Sequence, residues 1–406
     1  MRKFKTAALC LLAASYTSLS QAAGTSVPVT DILSPTYVEN KVYALEPEAS
    51  VSRSIATFTV NSRHGSHTVV GTVGLEEHLA ELLAIEKLEA MKKSKVYTDA
   101  AKNSALGPWD TAKGIVTEPI TTVKESVKGL GGYLADIGYS VFSKDPSQEN
   151  VAKTTLGFTT AKRKLAYELG VNPYSRYEPL QDALGEVAWT ATGGGLTVTV
   201  LFSFVKDTPG TVLRVSKTAG SARKLVRDMS PRKLSNLNEE TLLAMGLSAT
   251  SVELLMENYN YDPETKTRLV TALETLKKAD GLQLLVDSAL IAGSPPKAQK
   301  IRDWVELLAA FHENVTEVDQ IVMYSSAPFV VDADGVVYGV FPADYSEAGQ
   351  GIEEQITVIS EQIKADGFTQ GEIYTTGKVE AELEAAFLLA GWKTVNKHVE
   401  DDLRTE

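Results

Sequence analysis

The most regular hydrophobic pattern of the chain lies between Leu106 and Phe142. Its apolar positions alternate steps of four and three residues, which places them on one face of a helix. These positions are Val116, Ile120, Val123, Val127, Leu130, Leu134, Ile137 and Val141. Because Pro119 suits the first turn of a helix better than its interior, the pattern predicts two or three short helices instead of one long helix.

This apolar stripe needs a partner surface. Between Trp109 and Phe142 the acidic residues and the lysines nearly balance, so the stretch has no electrostatic attraction to anionic lipid. Its glycines favour close packing of helices, which a lipid surface does not require. We therefore expect the stripe to be buried mainly against the protein's own helices, with adsorption to a membrane surface as the alternative.

The first part of the chain predicts a β-hairpin followed by a helix. Residues 55–60 and 67–73 are rich in β-branched side chains and flank a polar turn. Apolar residues then recur at helical spacing from Leu75 to Leu88, and Glu76 and Glu77 suit the first turn of that helix. The segment 23–50, which contains three prolines, is predicted to be irregular.

The middle of the chain, 147–317, is predicted to be mainly helical. Asp262-Pro263 and Ser294-Pro295 are typical helix starts, Asn238 is assigned as a cap, and Gly170 is typical of a helix end.

An uncharged run from Val187 to Val205 interrupts this helical part. Its length alone would permit a membrane span. Three consecutive glycines and four threonines weigh against a span, and the residues from Leu196 onward favour one buried apolar hairpin. A membrane segment at 187–205 stays the alternative.

The chain changes character after Val318. Short apolar runs and two helical patterns predict a small α/β domain in the order strand, strand, strand, helix, strand, helix, strand. The predicted elements lie at 320–324, 329–332, 336–341, 352–363, 372–376, 379–389 and 392–395.

Together these patterns predict a mixed α+β protein, with a mainly helical body, an N-terminal β-hairpin and a small C-terminal α/β domain. The predicted units are a signal peptide at 1–22, the irregular segment 23–50, a β-hairpin plus helix at 51–102, the glycine-containing amphipathic segment 103–146, the mainly helical domain 147–317 and the C-terminal α/β domain 318–406.

Charge and targeting signals narrow the class of protein. The 406 residues carry a net charge of −12, which repels nucleic acid, so no nucleic-acid partner is expected. A basic start at Arg2 to Lys5, an apolar run from Thr6 to Ala14 and small residues near Ala22 have the order of a cleaved secretory signal. We expect a periplasmic or secreted protein after cleavage.

The cysteine count excludes several chemistries from the mature chain. Cys10 is the only cysteine, and it lies inside the predicted signal. A mature chain without a thiol has no cysteine nucleophile, no thiolate metal site and no disulfide.

Histidines and acidic residues offer weak candidates for a metal site. His64 and His67 lie near the predicted hairpin turn, and His78 follows on the next helix. They would suit zinc or copper, but a solvated polar turn is the preferred interpretation. Asp332 and Asp334 resemble the start of a calcium loop, yet a strand follows them, so a hairpin turn is favoured.

Other candidate sites are weaker still. Ser325, Ser326, His312 and Asp319 lie near each other in sequence, which is common by chance, and no G-x-S-x-G motif is present. Three glycines at 193–195 precede apolar residues and not a helix, which disfavours a phosphate-binding loop.

One stretch is clearly basic. It contains Arg214, Lys217, Arg223, Lys224, Arg227, Arg232 and Lys233. We interpret it as a solvated face that offsets the acidic remainder, with lipid phosphates or an acidic polymer as the alternative partner.

We therefore assign no catalytic, cofactor-binding or metal-ligating residue from the sequence. The expected function is that of an exported, soluble cell-envelope protein with a binding or structural role, whose partner is a protein or an envelope component. The alternatives are an envelope hydrolase whose site assembles in the C-terminal half from residues distant in sequence, and a membrane-associated protein anchored through 187–205 or 106–142.

Overall fold

The computed structural model describes residues 24–37, 40–104, 109, 146–197, 199–200, 217–349, 351–393 and 395–397. Helices dominate this part of the chain, with one antiparallel sheet near its beginning and a second sheet near its end. The prediction of a mixed α+β fold with a mainly helical body is confirmed.

The first sheet has five antiparallel strands. They are β1 (Thr25–Pro28), β2 (Tyr43–Leu45), β3 (Glu48–Ser52), β4 (Ile55–Ser62) and β5 (Gly65–Val70). The long strand β4 pairs with β3 and β2 on one side and with β5 on the other, and β1 extends the sheet beyond β3. Strands β4 and β5 are the predicted hairpin, which is confirmed.

The prediction that 23–50 is irregular is wrong. This segment contains β1, β2 and most of β3. The strands are short, and the prolines lie where pairing is not interrupted. Pro28 is the last residue of β1, and Pro47 separates β2 from β3. Strand ends and turns tolerate proline because no ladder hydrogen bond requires its missing N–H.

Helix α1 (Thr72–Lys92) follows β5 and covers one face of this sheet. Alternate residues of β4, among them Phe58 and Val60, are fully buried against its leucines. The residue before the helix is Gly71, whose lack of a side chain leaves the helix without a cap of its own. Asp344 supplies it from far along the chain: its Oδ1 accepts hydrogen bonds from the Thr72 backbone N at 2.9 Å and from Thr72 Oγ1 at 2.5 Å.

The helical body comes next in the chain. Its helices are α2 (Lys95–Asn103), α3 (Pro146–Leu169), α4 (Glu178–Gly193), α5 (Lys217–Asp228), α6 (Pro231–Ala244), α7 (Ala249–Glu257), α8 (Pro263–Thr275), α9 (Leu282–Leu290) and α10 (Pro295–Asn314). Helices α1, α3 and α4 share a core that includes Leu88, Leu165 and Leu184. Helices α6 to α10 share another, which includes Leu269 and Leu308.

Most of the predicted helix ends are local and are confirmed. Asp262 caps α8, because its Oδ1 accepts from the backbone N of Glu264 at 2.9 Å and of Thr265 at 3.0 Å. The assignment of Asn238 as a cap is wrong. It is buried inside α6, where its Nδ2 donates to Thr267 Oγ1 at 3.0 Å, and Ser230 caps that helix instead.

The last part of the chain forms a mixed sheet between two layers of helices. Its elements are β6 (Gln320–Tyr324), β7 (Ala327–Val331), β8 (Val336–Phe341), β9 (Tyr345–Ser346), α11 (Ile352–Ala365), β10 (Thr369–Thr375), β11 (Lys378–Val379), α12 (Ala381–Leu389) and β12 (Val395–Lys397). The sheet order is β12-β10-β8-β7-β6, so the predicted order of seven elements is present with two extra short strands.

Side chains alternate between the two faces of this sheet. Val330 and Val340 pack toward the helical body, whereas Phe329 and Ile373 pack toward α11 and α12. Such alternation is typical of a strand that is buried on both sides.

Several predictions concern residues outside the described ranges. They are the signal peptide, the apolar stripe between 116 and 141, and most of the hairpin predicted from Leu196 onward. Two parts of the chain next to these segments are described. Trp109 is buried against Phe158 and Trp189. The first residues of the uncharged run belong to helix α4, and residues 199–200 are helical, so the predicted hairpin is wrong where it is described. Among the residues that the structure describes, none of the helices combines the length and apolar character needed to cross a membrane.

Candidate functional site

A cleft of about 430 Å³ lies where α1, α8 and α10 meet the loops before α4 and α8. Most of the polar side chains that line the cleft belong to helices that begin beside it or run along it. The lining includes His67, Glu76, Glu77, His78, Glu81, Asn172, Ser175, Arg176, Tyr177, Arg223, Asn260, Asp262, Glu264, Arg268, Gln299, Asp303 and Glu306. Cavities of this size are in the usual range for small-molecule sites.

A set of ion pairs forms the floor of the cleft. Arg268 makes a two-pronged contact with Glu306, with N–O distances of 2.7 and 2.6 Å, and its remaining nitrogen lies 2.7 Å from Glu77 Oε1. Arg302 Nη2 lies 2.9 Å from the same oxygen and 2.5 Å from Asp303 Oδ1. Paired guanidinium forks of this kind fix carboxylates rigidly.

We call this set the buried charge cluster. It comprises Glu77, Glu264, Asp303 and Glu306 with Arg223, Arg268 and Arg302. Four carboxyl groups thus face three guanidinium groups, so the cluster has one more acidic than basic side chain. The helices α1, α5, α8 and α10 contribute these residues, so the cluster joins elements that are distant in sequence.

Burial raises the pKa of these carboxyl groups, whereas the neighbouring guanidinium groups lower it, and the balance differs between Glu77 and Glu264. Burial opposes the ionisation of Glu77, but Arg302 and Arg268 outweigh it and hold the pKa of Glu77 below its ordinary value. Burial raises the pKa of Glu264 from 4.5 to about 6, although Arg223 and Arg268 lower it. Burial likewise raises the pKa of Asp303 from 3.8 to about 6, although Arg302 lowers it. The cleft therefore has one firmly ionised carboxylate and two carboxyl groups that titrate in mildly acidic solution.

The free energy of unfolding should fall as the pH rises from 4.5 to 6. In that range the unfolded chain has lost the Glu264 proton while the folded chain still holds it, so deprotonation weakens the folded state. A shift of this size corresponds to about 2 kcal/mol. Urea unfolding at several pH values should show this loss, and Glu264→Gln should reduce it. The part that remains is due to Asp303, whose pKa burial also raises.

The control for this measurement is Glu240→Gln, an exposed position on α6. It should keep the slope of the unmodified protein. An unchanged slope in Glu264→Gln would contradict the assignment of the titrating group.

Imidazole and phenol rings form the opposite wall of the cleft. The His67 and His78 rings are 5.4 Å apart, and the Tyr177 ring lies 5.1 and 4.8 Å from them. His78 Nδ1 lies 3.1 Å from Glu81 Oε2, and the other oxygen of Glu81 accepts a hydrogen bond from Ser175. His78 Nε2 is buried and, among the described residues, has no hydrogen-bond partner.

Two of the candidate histidines, His67 and His78, thus lie together in the structure, a contact that the sequence did not predict. His64 stays near them, with its ring 6.5 Å from the Tyr177 ring. In the described part of the chain, no three His, Cys, Asp or Glu side chains lie together in a way that could hold a metal ion.

The other candidate residues have structural roles where they are described. Ser325 and Ser326 form the turn between β6 and β7, and Asp319 precedes β6, so roughly 20 Å of strand separates them. His312 Nδ1 accepts from the Val318 backbone N at 2.9 Å. These residues do not form a catalytic triad.

The acidic turn and the basic stretch also have local explanations. Asp332 Oδ1 accepts from the backbone N of Asp334 and of Val336, which confirms the predicted hairpin turn. In the basic stretch, Arg223 turns inward to Glu264, with Nε 3.6 Å from Oε1, whereas Lys224 is exposed. The prediction of a solvated face therefore fits Lys224 but not Arg223, whose side chain pairs with a buried carboxylate.

No family model matches the chain, and comparisons with curated proteins and with solved structures return no match. The cleft is therefore interpreted from its own geometry and charge.

Proposed function

We propose that the chain is an exported binding protein that holds a small, positively charged, hydrogen-bond-donating molecule in the cleft. Export rests on the signal-like residues at the start of the sequence, which lie outside the described ranges. The binding role rests on the cleft.

The observation that carries the proposal is the excess of acid in the cleft lining. The carboxyl groups are those of Glu76, Glu77, Glu81, Asp262, Glu264, Asp303 and Glu306. The guanidinium groups are those of Arg176, Arg223 and Arg268. Arg268 is fully engaged with Glu306 and Glu77, so it offers little to an anion. An acidic, partly desolvated cleft attracts cations and repels anions.

The tautomer of His78 supports a donor-rich ligand. Its Nδ1 faces the Glu81 carboxylate, which can only accept, so this nitrogen carries the proton in the neutral ring. The unpartnered Nε2 then offers a lone pair in the cleft wall. A ligand ammonium group would satisfy both the lone pair and the carboxylates.

Calorimetric titration with 1,5-diaminopentane tests the proposal. Glutarate, a dianion of similar length, is the matched comparison. We expect the diamine to bind at least about tenfold more tightly than glutarate at neutral pH, and Glu264→Gln to weaken it by about tenfold because one charge-assisted contact is lost. Glu240→Gln should leave the affinity unchanged. Equal binding of both probes, or of neither, would contradict the proposal.

A hydrolase is the second candidate, and one observation favours it. Glu264 keeps its proton up to a pKa of about 6, while Glu77 stays ionised in the same cleft. A protonated and an ionised carboxyl group are the usual parts of a general acid and base. Two guanidinium groups hold Glu77, however, which weakens it as a base. Release of nitrophenol from aryl glycosides near pH 5, lost in Glu264→Gln, would favour this candidate.

A further inference from the structure

A second cavity, of about 270 Å³, lies on the opposite face of the C-terminal sheet, beneath α11 and α12. It shares only Pro342 with the lining of the cleft. Its interior is mainly apolar. The apolar lining includes Trp304, Phe329, Phe341, Ile356, Ile359, Ile373, Leu383, Phe387 and Trp392.

Aromatic rings give this cavity rigid walls. The Phe329 ring stacks on the Trp392 ring with centroids 6.0 Å apart and meets the Phe341 ring edge-on at 5.2 Å. The Trp304 ring contacts Phe341 at 5.8 Å, and its Nε1 donates to the Val340 carbonyl oxygen at 2.7 Å. An apolar cavity with fixed walls favours an apolar ligand over water.

Two cations stand at the edge of this apolar cavity. Arg53 and Lys300 both line it, and Lys300 interacts electrostatically with the Asp344 carboxylate and, more weakly, with Arg53. Across the described ranges, neither forms an ion pair. The nearby carboxylate of Asp344 is engaged by Thr72 and by the Ala56 backbone N. Two cations thus face one carboxylate that is already engaged by hydrogen bonds, and this excess of positive charge favours an anion at the edge of the cavity.

The backbone at Arg53 supports a functional role. Arg53 and Ser54 form the turn between β3 and β4 with φ values of 52° and 63°, a conformation that favours glycine and asparagine. The Ser54 carbonyl oxygen accepts from the Asp344 backbone N at 2.8 Å, which holds the turn against the C-terminal sheet. The chain thus keeps an arginine in an unfavourable backbone conformation at the place where its side chain reaches the cavity.

We propose that this cavity binds a small amphipathic carboxylate, with its apolar tail between the sheet and α11 and its head at Arg53 and Lys300. The tail would contact Phe329, Ile356 and Trp392, and the two cations would neutralise the carboxylate. The volume leaves room for roughly nine or ten non-hydrogen atoms. This proposal is independent of the function proposed for the cleft.

Titration calorimetry with octanoate, which has about that size, tests the proposal. Octylamine has the same tail with the opposite charge, and acetate has the same head without the tail. We expect octanoate to bind at least about tenfold more tightly than either. Lys300→Gln should weaken octanoate by about tenfold, because a charged hydrogen-bonding partner is removed. Lys233→Gln, exposed on α6, should have no effect.

Arg53→Gly separates a functional role from a structural one. Glycine adopts the positive φ of this turn without strain, so the melting temperature should rise while the affinity for octanoate falls. A rise in melting temperature with unchanged octanoate affinity would overturn the role of Arg53. Absence of octanoate binding, or equal binding of octylamine, would overturn the proposal itself. Glu264→Gln should not affect octanoate, so failure here and failure of the cleft proposal are distinguishable.

Discussion

Replacing Arg268 by methionine is expected to lower the free energy of unfolding by about 3–5 kcal/mol. The guanidinium group of Arg268 is the only described hydrogen-bonding partner of the Glu306 carboxylate and one of three partners of Glu77, with Arg302 and Gln299. Without it, Glu306 would be left as a charge in a site that is nearly closed to water. Such an isolated charge is far less stable than either the intact pair or an apolar replacement.

The double variant Arg268→Met/Glu306→Met distinguishes this explanation from a loss of packing. It removes both members of the pair, so no unpaired carboxylate remains at Glu306, and we expect it to be more stable than the single variant. Urea unfolding of the two variants and of the unmodified protein measures the difference. A single variant that loses less than about 1 kcal/mol, or a double variant less stable than the single, would show that the pair is not desolvated as described.

Replacing Asp344 by alanine is expected to have an effect of similar size, about 3–5 kcal/mol. Its carboxylate accepts from the backbone N of Thr72 at 2.9 Å and from the backbone N of Ala56 at 2.7 Å. Both N–H groups would lose their partner in a buried place, and helix α1 would lose the negative charge at its positive end. Gly71 has no side chain to substitute for it.

Asp344→Asn should be intermediate, because an amide keeps one acceptor oxygen but lacks the charge. Asp99→Ala, at an exposed position on α2, is the matched control and should change stability by less than about 0.5 kcal/mol. Stability from urea unfolding and the far-ultraviolet circular dichroism of each variant provide the measurement. If Asp344→Ala unfolds at the same urea concentration as the unmodified protein, the link between Asp344 and α1 is not important for stability.

Much of the fold was predictable because its signals are local. Asp262 followed by Pro263 starts a helix by its own side chain, and the alternating residues of β4 and β8 require only a nearby helix to cover them. The error at 23–50 has the opposite origin. Strands of three to five residues carry too little periodicity to recognise, and they are stabilised by partners such as β4 that follow later in the chain.

The cleft was not predictable from separate residues. Glu77 was interpreted as a favourable charge in the first turn of α1, and Arg268 carried no signal, because its contact with Glu77 spans 191 positions. One signal was available. Arg302 follows Ala298 by four residues and precedes Val305 by three, so it shares the buried face of α10. A charge on the apolar face of a helix requires a buried partner, although the sequence does not say which.

The hydrogen bonds of Asp344 also affect the order in which the chain can fold. They join residues 288 and 272 positions apart, and Lys378 reaches Asp31 at 3.8 Å across a still longer separation. At ordinary rates of translation, the first sheet and α1 would wait on the order of 15–60 s before Asp344 is synthesised. Contacts of such long range raise the contact order and slow folding. The earliest strands would therefore stay incompletely stabilised until Asp344 has been synthesised, a delay long enough for chaperones to bind the unfolded chain.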